Sequence, residues 1–267
     1  MDSTHKTSLG YLDMTEVIHP GLLEDAVMDG RLDRIARQLA GGLSPNHRSG
    51  QFGALVAMAV TSKQAGALDA LLAAGAHPDA TDGDEVCALS LAAAMGRVDM
   101  ARSLVEHDAS FEPPDCKRAG FPLFAAIGAG KASMLRWLLE QGARVDVDDH
   151  NGRTPLIVAA RLGHADCARV CLAFGANIDA QEATEGRTAA MMAVNSSADA
   201  MRALCEHGFD VSVKTHIDGH TVSDLAQAHP DLPGALTFSA WRLTIAETDI
   251  LSGQTAAPSS TVRKPRI

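Results

Sequence analysis

Apolar residues return along this chain in sets of four at i, i+1, i+4 and i+5, the footprint of one buried face of an α-helix. The set reads Ala67, Leu68, Leu71, Leu72, then Met100, Ala101, Leu104, Val105, then Met134, Leu135, Leu138, Leu139. It continues as Cys167, Ala168, Cys171, Leu172 and as Ala200, Met201, Leu204, Cys205. An alanine-rich stretch precedes most sets, at 55–60, 89–95, 123–129 and 156–162, and its small side chains let neighbouring helices approach closely. Glycine keeps the beat: Gly42 and Gly75 are 33 residues apart, as are Gly142 and Gly175, and Gly175 and Gly208. Asp108 holds the missing beat, 33 residues after Gly75 and 34 before Gly142. Glycine at that point suits a helix C-terminus, where a left-handed residue stops the helix. Four residues past each beat stands a polar or turn-favouring residue: Asn46, Asp79, Glu112, Asp146, Asp179 and Ser212. The pattern predicts a repeated unit of helix, turn, helix and hairpin-like loop. A fixed period of this length means one unit stacked on copies of itself, because a single copy cannot bury its apolar face. The predicted fold is an all-α solenoid of about seven helix–turn–helix units with capping units at its ends.

The fullest copy runs Asn151-Gly152-Arg153-Thr154-Pro155-Leu156-Ile157-Val158-Ala159-Ala160-Arg161-Leu162-Gly163-His164, then reaches Gly175-Ala176-Asn177-Ile178-Asp179. It resembles the ankyrin repeat, whose pattern is a β-turn, a Thr-Pro-Leu-His-x-Ala helix start and two antiparallel helices. Thr154 suits the N-cap, and Pro155 suits the first helical position, where its missing N–H costs nothing. Ile157 stands where the family usually has His. Other copies depart further, with Cys87-Ala88-Leu89-Ser90, Phe121-Pro122-Leu123-Phe124, Thr188-Ala189-Ala190-Met191 and Thr221-Val222-Ser223-Asp224. A tetratricopeptide array has a similar period but needs a different aromatic pattern and lacks the Gly-Ala-x-x-Asp ending. The resemblance divides the chain into an N-terminal extension (1–20), a repeat domain (21–251) and a disordered tail (252–267). In the first copy Arg34 and Gln38 replace the Ala67 and Leu71 of the second, as a terminal unit with one wet face requires. Pro230 and Pro233 interrupt the last copy, and a final helix over 235–251 carries Phe238 and Trp241, expected to seal the last interface. The tail is rich in Ser, Thr and Pro, and reads as a solubilising segment despite Arg263, Lys264 and Arg266.

Composition narrows the function. A net charge of −10 over 267 residues argues against nucleic acid as the main partner, since a phosphate backbone requires a basic face. The sequence contains no uninterrupted apolar run of the roughly 18 residues that a membrane span requires. Nor does its start show the apolar core of a signal peptide, so a cytoplasmic setting is expected. Five cysteines are an odd number, and Cys167, Cys171 and Cys205 fall in apolar slots. They read as small, reduced core residues. Cys167 and Cys171 share a helical face, but no second ligand pair lies nearby in the repeat, and no metal site is expected.

Candidate chemistry is sparse. Gly128-Ala129-Gly130-Lys131-Ala132-Ser133 partly matches a phosphate-binding loop. However, Ala125 replaces its first glycine and Ala132 its metal-binding hydroxyl, and the segment falls between two predicted helices. No pair of the eleven His flanks a Glu at zinc-hydrolase spacing. Acidic clusters at 82–85 and 146–149 read as solvated turns, lacking the pocket that catalytic carboxylates use to separate their pKa values. The chain is therefore read as a non-enzyme without cofactors.

Binding remains. Resemblance to ankyrin repeats implies a concave face made of loop tips and first helices, from which interfaces draw aromatic and Arg anchors. The tips on this sequence are His47, Arg48, Gln51 and Phe52; Asp82, Asp84 and Glu85; Lys117, Arg118 and Phe121; His150, Asn151 and Arg153; and Thr184, Glu185 and Arg187. First-helix positions are Thr61, Ser62, Met95, Arg161, Leu162 and Asn195. The residues expected to carry partner binding are Phe52, Met95, Lys117, Arg118, Arg153, Arg161 and Leu162. Phe121 is left out of that set because it occupies the Thr slot, from which it could turn inward. Specificity is expected in the off-pattern third and fourth units. The leading function is an intracellular protein–protein interaction module that binds a folded partner and is otherwise monomeric. Its sharper forms are a dedicated inhibitor of a basic target and an immunity protein that occludes a toxin. A bacterial effector or adaptor acting in a host cell is the alternative.

Overall fold

The computed structural model describes residues 18–50, 53–114 and 121–251, with side chains described as far as Ala246. Phe52, Lys117, Arg118 and the predicted tail lie outside the described residues, as does most of the N-terminal extension. Fourteen helices among the described residues form seven antiparallel pairs. The first three pairs are α1 (Pro20–Asp29) with α2 (Leu32–Ala40), α3 (Leu55–Thr61) with α4 (Ala65–Ala73), and α5 (Ala88–Met95) with α6 (Val98–Glu106). Next come α7 (Pro122–Gly128) with α8 (Ala132–Glu140) and α9 (Pro155–Leu162) with α10 (Ala165–Ala173). The last two are α11 (Ala189–Ser196) with α12 (Ala198–His207) and α13 (Val222–Ala228) with α14 (Pro233–Leu251).

The first helix of each pair packs against the first helices of its neighbours, making a continuous inner row from α1 to α13. These helices are sandwiched, so alanine is the residue that fits: in α3, every residue from Leu55 to Val60 is buried. The second helices form the outer layer and bury only one face. In α4 that face is Ala67, Leu68, Leu71 and Leu72, the four-residue set of the sequence. The outer row is close-packed from α2 to α6 and again from α8 to α14, but loosens between α6 and α8. That junction holds the 34-residue step between Asp108 and Gly142.

Both ends close as capping units, with one difference from expectation. Arg34 is exposed, whereas Gln38 is buried, because its side-chain Oε1 accepts the His19 N–H at 3.0 Å. The entering backbone thus covers a position expected to be wet. At the other end Phe238 is buried, with its ring centroid 6.1 Å from Phe209 and 5.8 Å from Trp241. Trp241 stacks on Phe209 at 5.4 Å. Gly234 permits this docking: a Cβ there would overlap the Ala193 carbonyl of α11.

The beat glycines have left-handed φ values, as at Gly142 (φ 102°), where a Cβ would meet nothing within 4 Å. Their requirement is backbone conformation and not space. Asp108 adopts the same conformation at φ 65°, so the fold keeps its turn where the glycine is missing. Thr154 and Thr188 cap α9 and α11 by accepting from the third residue of each helix, and Thr221 completes a capping box with Asp224. Ala54, Cys87 and Phe121 occupy the equivalent slot with no side-chain cap. There, apolar burial replaces the cap hydrogen bond. Only Ser197 separates α11 from α12, which absorbs the extra residue in the preceding loop.

Among the described residues Ser212 bonds only Asp210 of its own loop, whereas the polar residue four past each of the first five beats has a structural task. Its side chain reaches the backbone of the next unit: Asn46 Oδ1 accepts from His77 N (2.7 Å), Asp79 Oδ1 from Ser110 N (2.8 Å) and Asp179 Oδ1 from Asp210 N (2.8 Å). Asp146 accepts from Asn177 N with both oxygens, at 3.0 and 3.2 Å. Glu112 substitutes a side-chain pair, receiving Arg144 Nε at 2.6 Å and a second guanidinium bond. The ladder therefore runs along the array with a side-chain exchange at the loosened junction.

Relieving the left-handed strain with Asp108→Gly is expected to stabilise the protein by up to about 1 kcal/mol, whereas Gly142→Ala costs about 1 kcal/mol or more. Urea unfolding of both variants measures the difference. Asp146→Ala removes one rung at a cost of about 1 kcal/mol. Hydrogen exchange should show faster exchange at the Asn177 amide, with the other rungs unchanged.

Candidate protein-interaction surface

The hairpin-like loops project as fingers, and the first, second, fourth, fifth and sixth are each closed by their own backbone. Asp82 N donates to Val86 O (2.9 Å), Asp149 N to Arg153 O (3.0 Å), Glu182 N to Arg187 O (3.1 Å) and Thr215 N to His220 O (2.9 Å). In the first finger Arg48–Ser49 pairs antiparallel with Gly53–Ala54. Adjacent fingers are also joined, through Ala54 N to Thr81 O (3.1 Å), Ala183 N to Asn151 O (3.0 Å) and His216 N to Glu185 O (2.7 Å). The described rim is thus connected from the first finger to the second and from the fourth to the sixth.

One side-chain acceptor organises each of four fingers. Asp82 Oδ1 accepts from Asp84 N and Val86 N, both at 2.9 Å. Asp149 accepts from Asn151 N (2.8 Å) and Arg153 N (2.9 Å), and pairs with the Arg153 guanidinium at 2.9 Å. Glu182 accepts from Glu185 N at 2.8 Å and from the Thr184 hydroxyl. Thr215 Oγ1 accepts from His220 N at 3.0 Å. Glu182 is buried, and so is Asp149, which departs from the expectation of solvated turn carboxylates at 146–149. A hydrogen-bonded cage, invisible in linear sequence, makes that burial possible. Burial pushes the Asp149 carboxyl upward, but the Arg153 and Asn151 amides and the Arg153 guanidinium outweigh it and hold it below its ordinary range. At Glu182 burial is likewise outweighed, by the Thr184 hydroxyl and the surrounding amides.

The predicted binding residues fall into different environments. Arg161 and Leu162 lie exposed at the end of α9, with Leu162 40% accessible. Met95, at the corresponding end of α5, is half-buried against the core. Arg153 is committed to Asp149 and only partly accessible. Phe121 is buried in the core as its Thr slot suggests. Thr61 and Asn195 are exposed on the same helix row.

The phosphate-loop look-alike is the α7–α8 turn, where the His164 ring lies over Gly130. Burial pushes the Cys167 thiol up to about 11 and Cys205 up to about 12, and raises Cys171 as well, consistent with packed, unreactive thiols. Among the described residues no three His, Cys, Asp or Glu side chains are placed to hold a metal, and no helix is long and apolar enough to cross a membrane.

One candidate was missed in the sequence. Ile217, on the sixth finger, is 70% exposed between His216 and Asp218. The signal was an isolated apolar residue in a turn segment, at the position of Asn151 in the fourth finger.

The caged carboxylates set the acid response. Their pKa values are depressed in the fold, so their stabilisation is complete above the ordinary carboxylate value of about 4 and is lost as pH falls through the lower folded values. Urea unfolding as a function of pH should show stability falling in that acid window, and Asp149→Asn should flatten the fall while lowering stability at neutral pH.

A family model described as Ankyrin repeats (3 copies) matches residues 55–149 and 123–215. No curated protein matches the chain. Among solved structures, the human ASB11 ankyrin repeat domain aligns with a TM-score of 0.70 at 22% identity, covering 84% of this chain and 97% of that one. The ankyrin repeat domain of Bcl-3, described as a unique member of the IkappaB protein family, aligns at 0.67 and 25% identity, covering 76% of this chain and 92% of that one. Sequence period, paired helices, linked fingers and these matches converge: the chain belongs to the ankyrin repeat family, whose members are typically non-enzymatic modules of protein–protein interaction.

Proposed function

We propose that this ankyrin array binds a folded protein partner across the face formed by its fingers and inner helices, and acts as a dedicated inhibitor by covering a functional surface of that partner. The observation that carries the reading is the Arg161–Leu162 pair. It places a guanidinium and an exposed large apolar side chain together on the inner helix row, beside a rim of hydrogen-bonded fingers. Arg is among the residues that dominate the energy of protein interfaces, and an apolar neighbour that excludes water strengthens its contacts. A rigid rim limits the conformational entropy that binding would otherwise cost. The net charge of −10 favours a basic target, which long-range attraction would steer toward the array. Met95 joins this face, Arg153 supports the fourth finger from behind, and Ile217 extends the face toward the C-terminal end. The proposed setting is the cytoplasm, with the array monomeric apart from its partner. An immunity protein that occludes a toxin is the sharpest form of this reading.

Affinity purification from the native source with mass spectrometry tests it. One stoichiometric partner whose activity disappears on addition of the array is the expected result; many weak partners with unchanged activities would favour an adaptor. For the recovered partner, Arg161→Glu with Leu162→Asp should weaken binding at least about ten-fold. Unchanged affinity would move the interface off this face. Arg153 is kept intact, because its loss would leave the buried Asp149 charge without its cation.

A further inference from the structure

The inner helix row changes character at its centre. In α9 the exposed position before the turn is Arg161, but the matching positions are Thr61 in α3, Ala94 in α5, Gly128 in α7 and Asn195 in α11. The fold therefore does not require a cation there. At an exposed helix C-terminus the charge gains only weakly from the helix dipole. Among the described residues Arg161 has no hydrogen-bond or ion-pair partner, and neither do Arg102 and Arg136 on the outer helices α6 and α8, whereas Arg97, Arg153, Arg169, Arg187 and Arg202 each meet a carboxylate. Arg161 differs from Arg102 and Arg136 in lying on the inner row. Lys131, on the neighbouring turn, is similarly uncompensated, because α8 has no acidic residue in its first turn where α6, α10 and α12 have Asp99, Asp166 and Asp199.

Beside this positive charge the surface is cut away. The α7 positions between Met95 and Leu162 are Ala129 and, one residue earlier, Gly128, both exposed, with Ala125 one turn back. Gly128 lies within α7 without a left-handed φ, and a Cβ there would meet nothing within 4 Å. Neither backbone conformation nor crowding calls for glycine. What glycine leaves is an open trough with Met95 on one side and Leu162 on the other.

Resting on the function proposed above, we infer that this trough receives a partner segment carrying a large apolar side chain next to a carboxylate, the apolar group seated over Gly128 and Ala129 and the carboxylate paired with Arg161. Charge complementarity selects the occupant: an uncompensated guanidinium recognises a carboxylate in bidentate fashion, and exclusion of water by the adjacent apolar contact strengthens the pair. A partner that is basic overall thus presents a local acidic–apolar anchor to the centre of the array.

The test uses the full chain and a displayed library of random peptides. Selected peptides should carry Asp or Glu beside Leu, Phe or Trp. Their affinity should fall at least about ten-fold with Arg161→Glu and return when the peptide acid is changed to Lys. Gly128→Met fills the trough while improving helix propensity, so it should weaken peptide binding at least about ten-fold with an unchanged or raised Tm. Peptides that lose affinity with Met95→Ala and Leu162→Ala but ignore Arg161→Glu, or that are enriched in Lys and Arg, overturn the acidic anchor and leave the face assignment standing. Peptides indifferent to Met95, Gly128, Arg161 and Leu162 together overturn both, as does a library that yields no binder.

Discussion

No helix pair in this protein can bury its own apolar faces, and everything else in the structure follows from that constraint. An inner helix such as α3, buried along almost its whole length, is stable only between neighbours. Each unit is consequently a nearest-neighbour problem, solved by alanine-rich inner helices and one apolar face on each outer helix. The ends must be solved differently. At the N-terminal end, His19 ties down Gln38, and at the C-terminal end Phe209, Phe238 and Trp241 form an aromatic seal.

The same constraint explains how many of the acidic residues are used. Asp79, Asp146 and Asp179 join one unit to the next, while Asp82, Asp149 and Glu182 hold the fingers in shape. Their hydrogen-bond partners are mainly backbone amides, whose unsatisfied burial would be costly. These carboxylates are therefore architectural, and a net charge of −10 overstates how much acid is free for recognition. The proposed recognition surface is instead defined by side chains that the architecture leaves without a task. Arg161 and Leu162 on α9 and Ile217 on the last finger are of this kind.

A solenoid with shared helix geometry can vary its exposed inner positions almost independently of stability. Thr61, Ala94, Gly128, Arg161 and Asn195 occupy one equivalent site in five units, with a different residue in each. The outer row meanwhile loosens between α6 and α8, next to the units whose helix starts, Cys87 and Phe121, depart from the capped pattern. Regularity in the core and variation on the face are what an interaction scaffold needs.

The sequence by itself determined the repeat, the helix pairs, the beat glycines and the capping ends, because each is a local rule applied at a fixed period. Thr154, Pro155 and the i, i+1, i+4, i+5 sets are readable without knowing what they touch. Only the tertiary structure decided where side chains from different units meet. It placed Asp146 on Asn177, buried Asp149 within its own finger and turned Gln38 inward. It also separated Arg153, committed to a carboxylate, from Arg161, which has none among the described residues. The two arginines look alike in sequence. Burial and hydrogen bonding depend on neighbours outside the local segment, and those neighbours divide the residues that build this array from those left exposed on its surface.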